Sequence, residues 1–120
     1  KVLWIHRKGA QSARLGERGI IPGSMGSSSF HTLGRGCAAA LTSSSHGAGR
    51  RLSRAKARSA VSDKAFARQV AGLWYDHRRA DKLRDEAPSA YRDIRQVMKA
   101  QRDLTRIVRQ LRPLLTYRGV

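Results

Sequence analysis

Apolar positions in the first half of the chain come in short runs separated by glycine and serine. Residues 2–5 (VLWI) predict a buried strand. Residues 19–21 (GII) predict a second short strand, which the following proline–glycine pair must end. Residues 29–33 (SFHTL) alternate approximately and predict a third strand. Residues 34–50 are expected to form a loop, with a short helical turn at the letters CAAAL.

Helical periodicity dominates the second half, residues 55–120. Either Ser62 or Asp63 can cap a helix near its start. The apolar positions of this helix follow at i, i+4 and i+7: Phe66, Val70 and Leu73.

A longer helix is predicted from Pro88 to the residue before Pro113. Proline suits the first turn of a helix, and the carboxylates of Asp85 and Glu86 suit its positive dipole end. One apolar stripe runs along it: Tyr91, Ile94, Val97, Met98, Leu104, Ile107, Val108 and Leu111. The tail after Pro113 is expected to be extended. Short strands and glycine-rich loops followed by helices predict an α+β fold class.

The charge of the chain favours a polyanionic partner. Lysine and arginine number 25 against 8 acidic residues in 120 residues, which gives a formal net charge of +17. Such a basic surface favours nucleic acid, although solubility or an absent acidic partner could account for the same composition. Hydrophobic residues make up 40% of the chain, so it is not a basic tail throughout. The length suits one modest domain or a piece of a larger one.

Cysteine usage and the length of the apolar runs bear on where the protein works. Cys37 is the one cysteine, so no disulfide can form within the chain, and a reducing, cytoplasmic location is expected. No apolar run approaches the ~20 residues of a membrane span, so no membrane partner is expected.

The segment SHGAGRRLSR, residues 45–54, carries the clearest candidate chemistry. Gly47 and Gly49 allow backbone N–H groups to approach an anion closely, and the arginines that follow add charge-assisted bonds. In that setting His46 could act as a nucleophile toward a phosphate or as a general acid or base. It could equally be an ordinary histidine at a turn. The glycine patterns of other nucleotide-binding motifs and the spacing of zinc ligands are absent from the sequence.

Five sequence blocks occur together and in a fixed order. They are HRKGA (6–10), GIIPGSMG (19–26), SHGAGRRLSR (45–54), AYRDIRQVMKAQRDL (90–104) and RG (118–119). Together they resemble the C-terminal part of the RtcB family of GTP-dependent RNA-splicing ligases. These enzymes join an RNA 3′-phosphate or 2′,3′-cyclic phosphate to a 5′-hydroxyl. The resemblance implies that residues 1–120 are a fragment of the larger RtcB-like fold, with a strand and loop part (1–54) and a helical part with a tail (55–120).

The same resemblance implies roles for individual residues. His46 would take GMP covalently from GTP with the help of manganese. The implied nucleotide contacts are Ser24, Ser27, Gly47, Ala48, Gly49, Tyr91 and Arg118, and the implied contacts to RNA or its phosphates are Arg50, Arg51 and Arg54. By periodicity alone Tyr91 is a core residue, and Arg51 and Arg54 could as easily form a solvated helix face.

The chain also departs from the family pattern. The metal ligands of the family lie in a longer N-terminal region, and Cys37 does not match the ligand cysteine. No metal ligand is therefore expected in this chain, which alone should not ligate. Arg118 stands where lysine is usual. The implied partners are GTP, RNA with 3′-phosphate and 5′-hydroxyl ends, and an archease-type activator. The alternatives are a non-catalytic basic RNA-binding remnant and a DNA-architectural protein, which would leave His46 without a role.

Overall fold

Two small antiparallel sheets and four short α-helices make up residues 2–119, the part of the chain that this computed structural model describes. The strands are β1 (Ala10–Ser12), β2 (Arg18–Ile21), β3 (Ser29–Gly34), β4 (Ser43–Ser45) and β5 (Thr105–Leu111). The α-helices are α1 (Arg54–Ala60), α2 (Asp63–Gln69), α3 (Ala80–Leu83) and α4 (Ile94–Ala100). Single turns of 3-10 helix cover Ala38–Ala40, His77–Arg79, Arg84–Glu86 and Pro88–Ala90. The predicted α+β class, the strands at GII and SFHTL and the helical turn at CAAAL are confirmed.

The larger sheet has the strand order β2-β3-β5, and the smaller sheet pairs β1 with β4. In β3 the residues Phe30, Thr32 and Gly34 are buried and alternate with partly exposed ones, as expected for a strand with one covered face. A register shift between His31 and Thr32 marks an irregularity in the pairing with β5.

The predicted long helix between Pro88 and Pro113 is wrong. Helix α4 ends at Ala100, and Thr105–Leu111 forms strand β5 against β3. The residues of β5 include β-branched side chains, which favour strands, and the pairing with β3 gives its backbone the hydrogen bonds that a helix would have supplied. The predicted apolar stripe is therefore divided between α4 and β5, and Tyr91 and Leu104 lie in neither element.

The predicted buried strand at residues 2–5 is also wrong. These residues form no strand, and their side chains lie in solvent, with Val2 86% and Trp4 90% exposed. Without a neighbouring strand in the described part of the chain, this apolar run has no ladder to join. The first strand begins instead at Ala10 and pairs with β4.

Two apolar clusters hold these elements together. The first surrounds Phe66 of α2, whose ring meets Tyr75 edge-on with 5.5 Å between the ring centroids. The second joins β2, β3 and α4, and contains Ile21, Phe30, Ala48, Ile94 and Met98. Because Ala48 belongs to the second cluster, the glycine-rich loop after β4 is fixed against the sheet and the helix.

Helix α2 begins at the cap that the sequence predicts. Ser62 is the N-cap residue, and its hydroxyl accepts a hydrogen bond of 3.1 Å from the backbone N–H of Ala65. We expect Ser62→Ala to lower the free energy of unfolding by about 1 kcal/mol, because that N–H loses its partner. Urea unfolding checks the value. Ser59→Ala is the control, since Ser59 bonds only to carbonyls of its own helix; an equal loss in both variants would contradict the capping role.

Candidate nucleotide site

One cavity of about 570 Å³ lies between the turn after β2, the loop after β4 and the tail after β5. Its volume falls within the range of small-molecule sites. The cavity brings together His46, Arg50 and every residue that the resemblance predicts to contact the nucleotide: Ser24, Ser27, Gly47, Ala48, Gly49, Tyr91 and Arg118. Arg51 and Arg54 do not line it.

His46 lies at the start of the loop after β4 with its side chain exposed to solvent. Hydrogen bonds fix the loop at both ends. The backbone N–H of Ser45 donates to Oε1 of Gln101 at 2.9 Å, and the carbonyl of Gly49 accepts from the N–H of Arg92 at 2.9 Å. Gly49 has a φ of +79°, in the left-handed region that glycine adopts without strain. The imidazole is therefore held at the cavity on a fixed loop and remains accessible to an anion.

The turn after β2 brings two hydroxyl groups together at the cavity wall. The Oγ atoms of Ser24 and Ser27 lie 2.8 Å apart, and the N–H of Ser27 donates to the carbonyl of Ser24 at 2.9 Å. The N–H of Gly23 donates to Oγ of Ser29 at 3.1 Å and fixes the base of the turn. Each serine hydroxyl has a lone pair or a proton for a bound polar group.

A buried carboxylate links the arginines and the tyrosine of the cavity. Glu86 is only 5% exposed and accepts a hydrogen bond of 2.5 Å from the hydroxyl of Tyr91. Its Oε1 lies 3.4 Å from Nη2 of Arg50 and 3.4 Å from Nη1 of Arg118. It also forms a short ion pair with Arg54. One negative charge thus fixes side chains from three distant parts of the chain.

The pKa values of Glu86 and Tyr91 reflect the network. Burial acts to raise the pKa of Glu86, but hydrogen bonds from Tyr91 and Arg54 and the charges of Arg118 and Arg54 bring it below its ordinary value. Burial raises the pKa of Tyr91, and the hydrogen bond and charge of Glu86 raise it further. Glu86 is therefore ionised and Tyr91 neutral at pH 7. Sequence reasoning assigned Glu86 only to a helix dipole and missed this role. Two adjacent acids among so many arginines are the signal that could have found it.

The three arginines predicted to contact RNA occupy different environments. The guanidinium of Arg50 stacks over the ring of Tyr91, 4.6 Å from its centroid, and donates to the hydroxyl of Tyr91 at 3.0 Å. Arg54 pairs with Glu86 and, at 3.3 Å, with Asp85. Its pKa is raised above the ordinary value by hydrogen bonds to those two carboxylates. Arg51 lies outside the cavity, exposed, and donates to the carbonyl of Ser89 at 3.0 Å.

Comparison with known proteins decides the family. Residues 1–119 match the profile of the family described as tRNA-splicing ligase RtcB. The chain belongs to the RtcB family. It is 44% identical over 117 residues to RNA-splicing ligase RtcB of Escherichia coli K12, an alignment that covers 98% of this chain and 28% of the relative.

Two further RtcB relatives come from other lineages. Identity is 34% to tRNA-splicing ligase RtcB of Nanoarchaeum equitans, over 98% of this chain and 28% of the relative. It is 35% to RNA-splicing ligase RtcB of Mycobacterium tuberculosis, over 95% of this chain and 27% of the relative. The chain thus spans little more than a quarter of the length of these RtcB proteins.

Residues 2–119 of this RtcB chain contain no group of three or more histidine, cysteine or acidic side chains that could hold a metal ion. These residues therefore do not fit a manganese site, and Cys37 is not among the residues that line the cavity. Within the same described range, no helix has both the length and the apolar character to cross a membrane.

Gly23 is required by the close packing of the turn that carries Ser24 and Ser27. A Cβ atom at Gly23 would lie 2.1 Å from the backbone oxygen of Ser28, a severe overlap with atoms that cannot rotate away. We expect Gly23→Ala to lower the free energy of unfolding by about 3 kcal/mol, at the upper end for overpacking. Urea unfolding measures the loss.

Gly47→Ala provides a control for Gly23→Ala, because both glycines line the same cavity. A Cβ at Gly47 would meet only the oxygen of Pro22, at 3.7 Å, which is an ordinary contact. We expect its effect on unfolding to stay below about 1 kcal/mol. Similar losses of unfolding free energy in the two variants would show that close packing is not the reason that the turn needs glycine at position 23.

Proposed function

We propose that this chain is the nucleotide-accepting part of an RtcB-type RNA ligase, and that His46 carries GMP. The observation that supports the proposal is the position of His46. Its exposed imidazole lies on a cavity whose wall contains all the residues that the family pattern predicts to contact the nucleotide. The names of the relatives, RNA-splicing ligase and tRNA-splicing ligase, agree with this activity.

In the proposed first step, a neutral imidazole nitrogen of His46 attacks the α-phosphorus of GTP. A nitrogen–phosphorus bond forms, the bond from the α-phosphorus to the bridging oxygen breaks, and pyrophosphate leaves. Gly47 and Gly49 allow the backbone to approach the phosphate closely, and the hydroxyls of Ser24 and Ser27 offer hydrogen bonds from the same cavity wall. Arg50 also lines the cavity and would supply a cation for the negative charge of the phosphate.

Two later steps would complete the joining of RNA ends. GMP passes from His46 to the RNA 3′-phosphate, which breaks the nitrogen–phosphorus bond and forms a phosphoanhydride. The 5′-hydroxyl then attacks that activated phosphorus, and GMP leaves. In this order, transfer of GMP first converts the poorly reactive 3′-phosphate into an electrophile with a good leaving group. The 5′-hydroxyl attacks only afterwards.

Tyr91 and Arg118 are proposed to lie against the guanine. Arg118 presents several N–H donors in a planar fork, which suits the two acceptors O6 and N7 of guanine. Glu86 would hold both side chains in place, through its ion pair with Arg118 and the hydrogen bond that it accepts from Tyr91. Lysine is usual at this position in the family. Arg118 would instead contact the guanine edge with a larger, planar guanidinium group.

Several family properties enter the proposal for the longer protein. Manganese would be held by ligands in a region that precedes this chain and would draw charge from the phosphate. RNA with 3′-phosphate and 5′-hydroxyl ends and an archease-type activator are proposed as partners from the same family likeness. A cytoplasmic location is proposed from the single cysteine, Cys37. Arg51 and Arg54 remain proposed RNA contacts, and Arg54 would have to share its charge with Asp85 and Glu86.

Transfer of radiolabel from GTP tests the proposal against the non-catalytic RNA-binding alternative, which the net charge of +17 also favours. The full-length protein is incubated with GTP labelled at the α-phosphate in the presence of manganese. We expect a covalent, acid-labile adduct that maps to the peptide containing His46. Salt-sensitive RNA binding without an adduct would support the non-catalytic alternative.

A further inference from the structure

A second concentration of positive charge lies at a cleft between α4 and β5, separate from the cavity at His46. Its side chains surround a cleft of about 330 Å³. The charged residues that line the cleft are Arg35, Arg95, Lys99, Arg102 and Arg106. Phe30 and Met98 close the floor, and both belong to the buried cluster that also contains Ala48. No residue lines both this cleft and the cavity at His46.

The cations of the cleft are aligned by the fold. Arg95, Lys99 and Arg102 occur at i, i+4 and i+7, which brings them to one side of α4 and the turn after it. Arg106 follows on β5, and the backbone N–H of Arg35 donates to the carbonyl of Leu104 at 3.0 Å. The five charges therefore belong to elements that are fixed to each other.

Acidic side chains do not neutralise this cleft within residues 2–119. None of its five cations takes part in an ion pair there, and no acidic residue lines it. The nearest acids in sequence are Asp93, which caps α4 by accepting from the N–H of Arg95, and the exposed Asp103. By contrast, Arg50, Arg54 and Arg118 share the carboxylate of Glu86.

Like charges one helical turn apart repel each other, so this arrangement weakens the folded state of the protein. A polyanion whose phosphates follow a groove removes that repulsion and releases its own counterions. The cleft is open to solvent and has cations from α4 and from β5 along it, as expected for a groove that follows a sugar–phosphate backbone.

We propose that the cleft between α4 and β5 binds the sugar–phosphate backbone of the RNA substrate, at a distance from the ends that are joined. The proposal rests on the proposed function only for the identity of the polyanion as RNA. The cavity at His46 would hold the reacting end, while the cleft would hold the strand without reading its sequence.

The test measures RNA binding by the full-length protein as a function of salt. The cleft variant is the triple substitution Arg95→Ala, Lys99→Ala and Arg102→Ala, and alanine suits the helix at these positions. The control is Lys56→Ala, Lys64→Ala and Lys82→Ala, which removes the same charge from exposed positions on α1, α2 and α3. Fluorescence anisotropy of a labelled single-stranded oligouridylate gives the binding constant at each salt concentration.

We expect the cleft variant to reduce the slope of log K against log salt by about 2, because each phosphate that the protein neutralises on a single strand adds roughly 0.7 to that slope. The control should leave the slope unchanged. Equal reductions in both variants would show diffuse attraction by the net charge and overturn the proposal. An unchanged slope together with a lower unfolding temperature in the cleft variant would point to a protein segment on this surface and would also overturn it.

Labelling by GTP separates this proposal from the one for His46. The cleft variant should still form the adduct, because its three substituted residues do not line the cavity. Loss of the adduct in that variant would indicate damage to the fold. It would count against the proposal that the cleft serves only to bind RNA. If the wild-type protein forms no adduct, the proposed function fails, while the salt slope still decides the role of the cleft.

Discussion

Replacing His46 with alanine is expected to abolish transfer of GMP from GTP to the full-length protein. Among the described residues on the cavity wall, only the imidazole fits an acid-labile nitrogen–phosphorus bond, since the arginines stay protonated and the serines would give acid-stable esters. The side chain is exposed, so alanine leaves neither a core cavity nor an orphaned buried group. Labelling should fall to background while the unfolding temperature stays unchanged.

His31→Gln is the matched control for His46→Ala. His31 lies on β3 opposite Arg109 of β5 and does not line the cavity at His46. Labelling in this variant should equal that of the wild type. Persistence of the adduct in His46→Ala, or its loss in His31→Gln, would refute the assignment of the nucleophile.

Local signals were sufficient for some elements of the fold. The serine before α2 caps the helix because its hydroxyl satisfies a free N–H, a feature contained within four residues. The proline–glycine pair after β2 forced a turn for an equally local reason. Such features depend on neighbours in sequence, so they could be predicted from the sequence.

The errors arose where distant residues decide the structure. Residues 105–111 have apolar side chains at spacings compatible with a helix, but β3, more than 70 residues earlier, offers a free edge for pairing. Residues 2–5 have the composition of a buried strand, yet no described element covers them. In both cases the structure depends on whether a distant strand is present to pair with the segment. The local pattern of apolar residues does not contain that information.

The arrangement of side chains around the cavity could also be predicted only in part, because residues distant in sequence decide some of its contacts. The residues that the family blocks named as nucleotide contacts all line one cavity, and their role in binding a nucleotide stays a prediction. Periodicity alone would have assigned Tyr91 to the core. Tyr91 in fact does both: its ring packs against the second apolar cluster, and its hydroxyl reaches Glu86. Glu86 was missed because only the folded chain brings Arg50, Arg54 and Arg118 around its carboxylate.

Glu86→Gln is expected to weaken both the fold and the nucleotide site. Glutamine keeps the shape but removes the charge that Arg50, Arg54 and Arg118 share. We expect a loss of about 3 kcal/mol in the free energy of unfolding, at the low end for a broken buried ion pair, because Arg54 and Arg118 remain about half exposed to water. Urea unfolding of the full-length protein measures this loss.

The same substitution should change the pH dependence of stability in a defined direction. Because the folded protein lowers the pKa of Glu86 below its ordinary value of 4.5, the unfolded chain takes up a proton first as the pH falls. The stabilisation from Glu86 is therefore complete above pH 4.5 and is lost as the pH falls through the lowered pKa. The unfolding temperature of the wild type should fall more steeply below pH 4.5 than that of Glu86→Gln. Parallel curves would contradict the ionised carboxylate.

Asp85→Asn separates positioning of the nucleotide site from general support of the fold. Asp85 is equally buried, but its ion pairs are with Arg54 and Arg58, outside the cavity wall. Both variants should unfold more easily, yet only Glu86→Gln should raise the GTP concentration for half-maximal labelling, by about tenfold for one oriented charge-assisted bond of ~1.4 kcal/mol. An equal rise in both variants would mean that Glu86 acts through stability alone and does not orient Tyr91 and Arg118.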